Sequence, residues 1–133
     1  MQQLSPAMAQ PAAVAELMTQ TLPDPAGAPQ RFDQWRGKIL VVNFWATWCA
    51  PCVKEMPALS ALQTELTGKK IQIVGVGIDS AANIQQFLTK YKITYPLMVA
   101  GMGGAKTTRA FGNQTGGLPF TVVIGRRGEI HKT

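Results

Sequence analysis

Two cysteines stand close together in the stretch WCAPC, and they are the only cysteines among the 133 residues of the chain. Cys49 and Cys52 are separated only by Ala50 and Pro51. Such a pair can form a structural disulfide, contribute ligands to a metal site, or act as a dithiol that is oxidised and reduced in turn. The surrounding sequence distinguishes these three interpretations.

A purely structural disulfide is disfavoured by the short loop that it would close. A bond between Cys49 and Cys52 constrains four residues, for which chain entropy contributes only about 2 kcal/mol. A chain of 133 residues can bury a hydrophobic core without a covalent link. A disulfide placed for stability would therefore be expected to close a longer loop.

A metal site needs more ligands than this sequence offers. Zinc takes four donors in structural sites and three protein donors in catalytic sites, whereas the chain has one histidine, His131, and no third cysteine. Val53 follows Cys52, which excludes the haem-attachment motif. We expect no metal and no cofactor other than the redox-active cysteine pair.

The elements predicted around the pair favour redox chemistry. Residues 38–45 form a β-branched and aromatic run, typical of a strand that is buried on both faces. Cys49 follows this strand at the predicted start of a helix, and Pro51 is tolerated in a first helical turn. Because a helix N-terminus favours a thiolate, Cys49 is the expected nucleophile and Cys52 the buried resolving thiol.

The other hydrophobic patterns predict an α/β domain with a mixed central sheet and helices on both faces. Further strands are predicted over residues 71–78, 95–100, 121–124 and 129–131, and helices over residues 56–66, 84–91 and 106–111. Because five of the nine prolines fall within residues 1–30, residues 1–20 are predicted to be a flexible segment with at most a short helix over residues 12–19. Residues 21–133 are predicted to form the domain, with an edge strand over residues 30–35.

Charge and hydropathy exclude two other classes of function. The net charge is +6 and the pI about 9.7, but the basic residues are scattered and no aromatic residues are interleaved with them. A solvated basic surface is therefore favoured over nucleic-acid binding. The sequence contains no apolar stretch long enough to span a membrane, and no signal peptide is visible at its N-terminus.

Four motifs together resemble the TlpA/ResA-like thiol–disulfide oxidoreductases, which have a thioredoxin fold. They are WRGK at residues 35–38, VNFWATWCAPC at 42–52, EMP at 55–57 and GLPFT at 117–121. The resemblance implies a thioredoxin-like domain with an extra helix–strand insert near residues 80–100. The helix that usually closes such a domain has no counterpart after residues 129–131, so we expect one sheet face to be partly bare.

The resemblance also implies roles for residues around the dithiol. Leu118 and Pro119 are expected to form a cis peptide beside Cys49 that presents backbone to an extended substrate. Trp48, Ala50 and Pro51 complete the expected substrate-binding set.

Glu55 and Asn43 raise the question of proton transfer. Two interpretations of Glu55 stay open: a candidate acid or base for Cys52, or a first-turn carboxylate that the helix dipole favours. Asn43 stands where ordinary thioredoxins have a buried aspartate, which shifts proton transfer towards Glu55 or water.

The function implied is the reduction of disulfides in exported protein substrates, in the periplasm or another extracytoplasmic space. A membrane-embedded thiol donor is the expected source of electrons. The absence of charge or histidine between Cys49 and Cys52 favours a reductant over a strong oxidant. Two alternatives stay open: a disulfide oxidase or isomerase, and a non-catalytic module that binds peptides at its proline loop.

Overall fold

The computed structural model describes residues 6–133, which form a mixed sheet with helices on both faces. The helices are α1 (Pro6–Thr19), α2 (Ala50–Glu65), α3 (Ala81–Leu88) and α4 (Gly104–Ala110), and a 3-10 helix covers Phe32–Trp35. The strands are β1 (Thr21–Pro23), β2 (Pro29–Arg31), β3 (Ile39–Trp45), β4 (Ile71–Gly77), β5 (Leu97–Val99), β6 (Phe120–Ile124) and β7 (Ile130–Lys132).

The central sheet has the order β5-β4-β3-β6-β7. Strand β3 pairs in parallel with β4 and antiparallel with β6, while β5 extends the parallel side and β7 the antiparallel side. The predicted thioredoxin-like mixed sheet is therefore confirmed. Helix α3 and strand β5 supply the extra helix–strand insert, and β7 is the last element of the described chain.

Strand β3 is apolar except for Asn43, because each of its faces lies under a different hydrophobic cluster. Leu40, Val42 and Phe44 belong to a cluster that also contains residues of α1 and the 3-10 helix, and Phe111 directly after α4. Trp45 lies in a second cluster, which contains residues of α2 and α3 and both cysteines. The dithiol is thus part of the core on the α2 side of the sheet.

Helix α1 differs from the flexible segment predicted for residues 1–20. Ala13, Val14 and Leu17 are buried in the first cluster, because their spacing places them on one side of the helix. The proline content suggested a chain without regular structure, yet Pro6 is the first residue of the helix, where a missing N–H costs no hydrogen bond. The short helix predicted over residues 12–19 is therefore present as part of α1, and residues 1–5 of the predicted flexible segment lie outside the described residues.

The segment before β3 also departs from the prediction, which is an edge strand over residues 30–35. Only β2 is extended, and it pairs with β1 in a separate hairpin rather than with the central sheet. Phe32 and Trp35 instead lie in the 3-10 helix, both buried, with their rings edge-to-face at 5.9 Å. A helical turn brings residues three apart onto one side, so this conformation buries both aromatic rings.

Candidate active site

The cysteine pair lies where β3 ends and α2 begins. Cys49 is the N-cap residue of α2, with extended backbone angles of φ −99° and ψ 101°, and its Sγ accepts a hydrogen bond from the Cys52 N–H at 3.3 Å. The two residues form a disulfide with their Cα atoms 5.3 Å apart. Because the first amides of a helix lack internal partners, negative charge on the Cys49 sulfur is stabilised at this position.

The two sulfurs differ in their access to solvent. Cys52 is 1% exposed, whereas Cys49 retains 6% and borders the surface. Around Cys49 the residues Trp48, Ala50 and Pro51 are exposed, and the indole of Trp48 is among the most exposed large apolar side chains of the described residues, at 63%. Both cysteines are therefore buried, and Cys49 is the one whose chain neighbours are exposed.

The proline loop lies directly against Cys49. The Leu118-Pro119 peptide bond is cis, and the Leu118 carbonyl oxygen lies 3.5 Å from Cys49 Sγ. Buried Asn113 ties this loop to α4, since its side-chain amide donates to the Gly117 carbonyl at 3.0 Å and its backbone N–H donates to the Thr108 carbonyl at 3.0 Å. Sequence reasoning did not identify Asn113, because a lone asparagine in a loop carries no motif.

Glu55 is held by a polar group on the central strand. The buried Asn43 side chain donates to Glu55 Oε1 at 3.1 Å and to Thr121 Oγ1 at 3.0 Å. Glu55 lies three residues after Cys52 on α2 and is half-buried, so one side of its carboxylate faces the core and the other faces an open groove beside β6. The arrangement connects a strand, a helix and the proline-loop strand through one amide.

Tyr95 adds a phenol to this region of the core. It is 4% exposed and belongs to the same hydrophobic cluster as Cys52 and Met56. Burial raises the pKa of the Tyr95 hydroxyl, and the negative charge of Glu55 raises it further. Tyr95 therefore stays neutral and is able to donate a hydrogen bond near the dithiol, a feature that the strand pattern alone did not indicate.

A buried carboxylate anchors the turn that precedes Cys49. Asp79 is 4% exposed, and its Oδ2 accepts hydrogen bonds from the backbone N–H of Thr47 at 3.1 Å and from the Thr47 hydroxyl. Its Oδ1 accepts from the Ser80 N–H at 2.7 Å and the Asn83 side chain at 2.8 Å. Asp79 thus fastens the dithiol turn to the N-terminus of α3, and sequence reasoning missed it.

Metal sites and membrane-spanning helices are two other features that the described residues could contain. Among residues 6–133, no group of three or more His, Cys, Asp or Glu side chains lies close enough together to hold a metal ion. None of the helices in the described part of the chain combines the length and apolar character needed to cross a membrane.

Comparison with known proteins agrees with this fold and site. Residues 14–133 match the model of the AhpC/TSA family. The chain belongs to that family. It is also similar to the thiol-disulfide oxidoreductase ResA of Geobacillus thermodenitrificans, with 30% identity over 112 residues, covering 84% of this chain and 62% of the relative. The chain thus spans about three fifths of the length of that relative.

Solved structures of thioredoxin-family proteins have the same fold as this chain. A thioredoxin-related protein from Neisseria meningitidis serogroup B superposes with a TM-score of 0.74 at 33% identity, covering 84% of both chains. A thiol:disulfide interchange protein of the thioredoxin family from Chlorobium tepidum superposes with a TM-score of 0.72 at 28% identity, covering 86% of this chain and 80% of the other. The resemblance to TlpA/ResA-like thioredoxin-fold proteins is confirmed.

The anchoring by Asp79 leads to a prediction about stability and pH. Asp79→Asn should lower the free energy of unfolding by about 1–3 kcal/mol at pH 7, because an amide nitrogen cannot accept the hydrogen bonds that one carboxylate oxygen accepts now. Burial acts to raise the pKa of Asp79, but its hydrogen bonds together lower it below the usual value. The stabilisation is therefore present above about pH 4 and is lost as the pH falls through the folded-state pKa.

Urea unfolding of the wild type and Asp79→Asn between about pH 3 and pH 7 measures this difference. Ser80→Ala is the matched control, since the Ser80 hydroxyl caps α3 by accepting from the Asn83 N–H at 3.1 Å and its loss carries no titrating charge. The stability gap of Asp79→Asn should narrow towards low pH, while that of Ser80→Ala should not. A constant gap for both variants contradicts the prediction.

Proposed function

We propose that this protein is a thiol–disulfide oxidoreductase that reduces disulfides in protein substrates through Cys49 and Cys52. The observation that carries the proposal is the disulfide at the start of α2, in which the more accessible sulfur lies 3.5 Å from the backbone of the Leu118-Pro119 loop. The chain neighbours of Cys49 are exposed, and a stretch of loop backbone stands beside its sulfur.

The proposed reaction is two successive thiol–disulfide exchanges. In the reduced protein, the Cys49 thiolate attacks one sulfur of the substrate disulfide, that bond breaks, and the other substrate sulfur leaves and takes up a proton. The Cys52 thiol then loses its proton and attacks the Cys49 sulfur, which releases the second substrate thiol. Two electrons pass from the dithiol to the substrate, and the Cys49–Cys52 disulfide remains. No cofactor other than the cysteine pair takes part in these steps.

Substrate binding is assigned to the residues that surround Cys49. Trp48, Ala50 and Pro51 form an exposed rim on the helix side, and Leu118 and Pro119 form the opposite rim. An extended substrate segment could pair with the backbone at Leu118 as a short additional strand. This would position a substrate disulfide over the Cys49 sulfur.

Glu55 is proposed as the base that accepts the Cys52 proton during the second exchange. It lies one helical turn beyond Cys52, and Asn43 orients its carboxylate through the 3.1 Å hydrogen bond. The half-buried position leaves a path from the core to solvent along the groove beside β6. A proton taken from buried Cys52 can therefore reach bulk water without opening the sheet.

The direction of transfer and the cellular setting are also proposals. Ala50 and Pro51 add no charge or histidine beside Cys49, so the reduced form gains no strong extra stabilisation and the pair is poised as a reductant. The likeness to ResA and to a thiol:disulfide interchange protein supports substrates outside the cytoplasm, in the periplasm or an equivalent space. A membrane-embedded thiol donor would then restore the dithiol.

Two alternative functions can be distinguished from disulfide reduction by experiment. A disulfide oxidase or isomerase would use the same residues with a more oxidising pair, so only the reduction potential distinguishes it. A non-catalytic peptide-binding module would retain its partner when Cys49 and Cys52 are both replaced by serine. The accessible Cys49 sulfur beside the loop favours turnover over simple binding.

Trapping the intermediate tests the proposed reaction. Cys52→Ser in its reduced form should accumulate a mixed disulfide with a disulfide-bonded peptide, because Cys49 attacks and nothing resolves the product. Cys49→Ser should form little of it, since Cys52 is buried. Mass spectrometry of the intact protein detects the adduct, and adducts of equal yield on both variants would contradict the assignment of Cys49 as the nucleophile.

The equilibrium reduction potential tests the direction. We expect a value near ~−270 mV, similar to thioredoxin, whereas a value near ~−120 mV would identify an oxidant. Titration against glutathione and dithiothreitol, read out by the change in fluorescence of Trp45 and Trp48, gives the potential. The more oxidising value would overturn the proposed direction but leave the exchange chemistry intact.

The role of Glu55 can be tested through the second exchange. Glu55→Gln should slow the release of the substrate thiol by about a hundredfold at pH 7, because the amide still accepts from Asn43 but cannot take a proton. The defect should shrink as the pH approaches the ordinary pKa of a thiol, about 8.5. Stopped-flow measurement of mixed-disulfide decay from pH 6 to pH 9, roughly spanning that value, gives the profile.

Glu65→Gln is the control for this experiment, since Glu65 lies on the same helix and is exposed. It should decay at the wild-type rate at every pH. If Glu55→Gln also decays at the wild-type rate but unfolds at lower urea concentration, Glu55 only stabilises the fold through its hydrogen bond to Asn43. The alternative of a first-turn carboxylate favoured by the helix dipole is wrong, because α2 begins at Ala50 and has no acidic residue in its first turn.

A further inference from the structure

We propose that the groove between the turn at Thr47 and helix α3 is a docking surface for an acidic segment of the substrate polypeptide, next to the disulfide being reduced. The inference rests on the proposed function, because it takes the occupant to be part of a protein substrate. It assigns to α3 a role in choosing substrates that the dithiol and the proline loop do not supply.

The groove is an open depression of about 450 Å³ that borders the dithiol. Thr47 and Val53 line one side, and these residues stand two positions before Cys49 and directly after Cys52. Phe87, Lys90 and Tyr91 line the other side, on and just after α3. A chain bound at Cys49 that continued in this direction would lie in the groove.

The two walls are held together by Asp79. Its carboxylate accepts two hydrogen bonds from Thr47 on the dithiol side and one from the Asn83 side chain on the α3 side. Both Thr47 and Asn83 also line the groove. The distance between the attacking sulfur and the α3 wall is therefore set by the fold, which lets one substrate segment contact both.

Aromatic side chains lie in and beside the groove, and part of their surface is exposed to solvent. Phe87 stacks on Tyr91 with ring centroids 4.5 Å apart and contacts Trp45 at 5.1 Å. Tyr91 is nevertheless 43% exposed, and Trp48 on the dithiol turn is 63% exposed. Exposed aromatic side chains beside a groove are typical of surfaces that bind another chain.

The charge around the groove is positive. Lys90 is the charged residue among those that line the groove, and Lys54 and Lys92 directly follow the lining residues Val53 and Tyr91. Glu55, which follows Lys54, lines the separate groove beside β6. Asp79 is buried and holds hydrogen bonds on both oxygens. A segment with carboxylate side chains complements this surface, whereas a basic segment is repelled.

Peptide reduction tests the inference. Two disulfide-bonded peptides of the same length, one with three glutamates beside a cysteine and one with three glutamines, are mixed with the dithiothreitol-reduced protein after removal of excess dithiothreitol. The second-order rate of oxidation of the dithiol is followed by tryptophan fluorescence at low ionic strength. The wild type should react about three- to tenfold faster with the acidic peptide, and added salt should reduce this preference.

Lys90→Glu should abolish or reverse the preference for the acidic peptide. Lys69→Glu makes the same change in net charge on an exposed lysine just before β4, at the opposite end of the parallel strands from the dithiol, and it should keep the wild-type preference. Equal preferences in all three proteins, or an equal loss in both variants, would refute the groove as the docking surface. If the wild type reduces neither peptide, the proposed function itself fails, and with it this inference.

Discussion

Strand β3 ends at Trp45, shortly before the turn that carries the dithiol, so its pairing with β4 and β6 fixes the position of that turn. Its register sets Trp45 opposite Gly77 of β4 and Asn43 opposite both Gly75 of β4 and Thr121 of β6. A Cβ atom on Gly75 would lie 3.3 Å from the indole nitrogen of Trp45 and 2.6 Å from Leu97 Cδ2. The glycine therefore leaves room for the side chains of Leu97 and Trp45, which pack in the same cluster as both cysteines.

Two buried polar side chains around the dithiol, Asn43 and Asp79, form hydrogen bonds to elements distant in sequence. The Asn43 amide joins the central strand to α2 and β6 through Glu55 and Thr121. The Asp79 carboxylate joins the dithiol turn to α3. Since a buried polar group without a partner costs about 1–3 kcal/mol, each of these contacts favours one arrangement of helices and strands over alternatives. Thr47 and Asn83, which bond to Asp79, line the proposed docking groove, and Glu55, which bonds to Asn43, lines the groove of the proposed proton path.

Sequence reasoning was accurate where one physical signal dominated and failed where two competed. The apolar run of residues 38–45 predicted a buried strand, and the structure has Ile39–Trp45. At the N-terminus, the proline content limited the predicted helix to residues 12–19, whereas the helix begins at Pro6 and buries Ala13, Val14 and Leu17 in the first cluster. At residues 30–35, strand propensity was preferred to the three-residue spacing of Phe32 and Trp35, which the 3-10 helix buries. Tertiary burial decided both cases.

The sequence by itself determined the dithiol, the order of the elements and the family, because short motifs and hydrophobic periodicity are local properties of the chain. It also placed Cys49, Cys52 and the Leu118–Pro119 pair in one functional set through their resemblance to known motifs. Only the tertiary structure decided that Asn43 orients Glu55 and that Asp79 fastens the dithiol turn to α3. Those contacts join residues 12 to 78 positions apart, and no local pattern records a hydrogen bond that forms only when distant strands and helices pack.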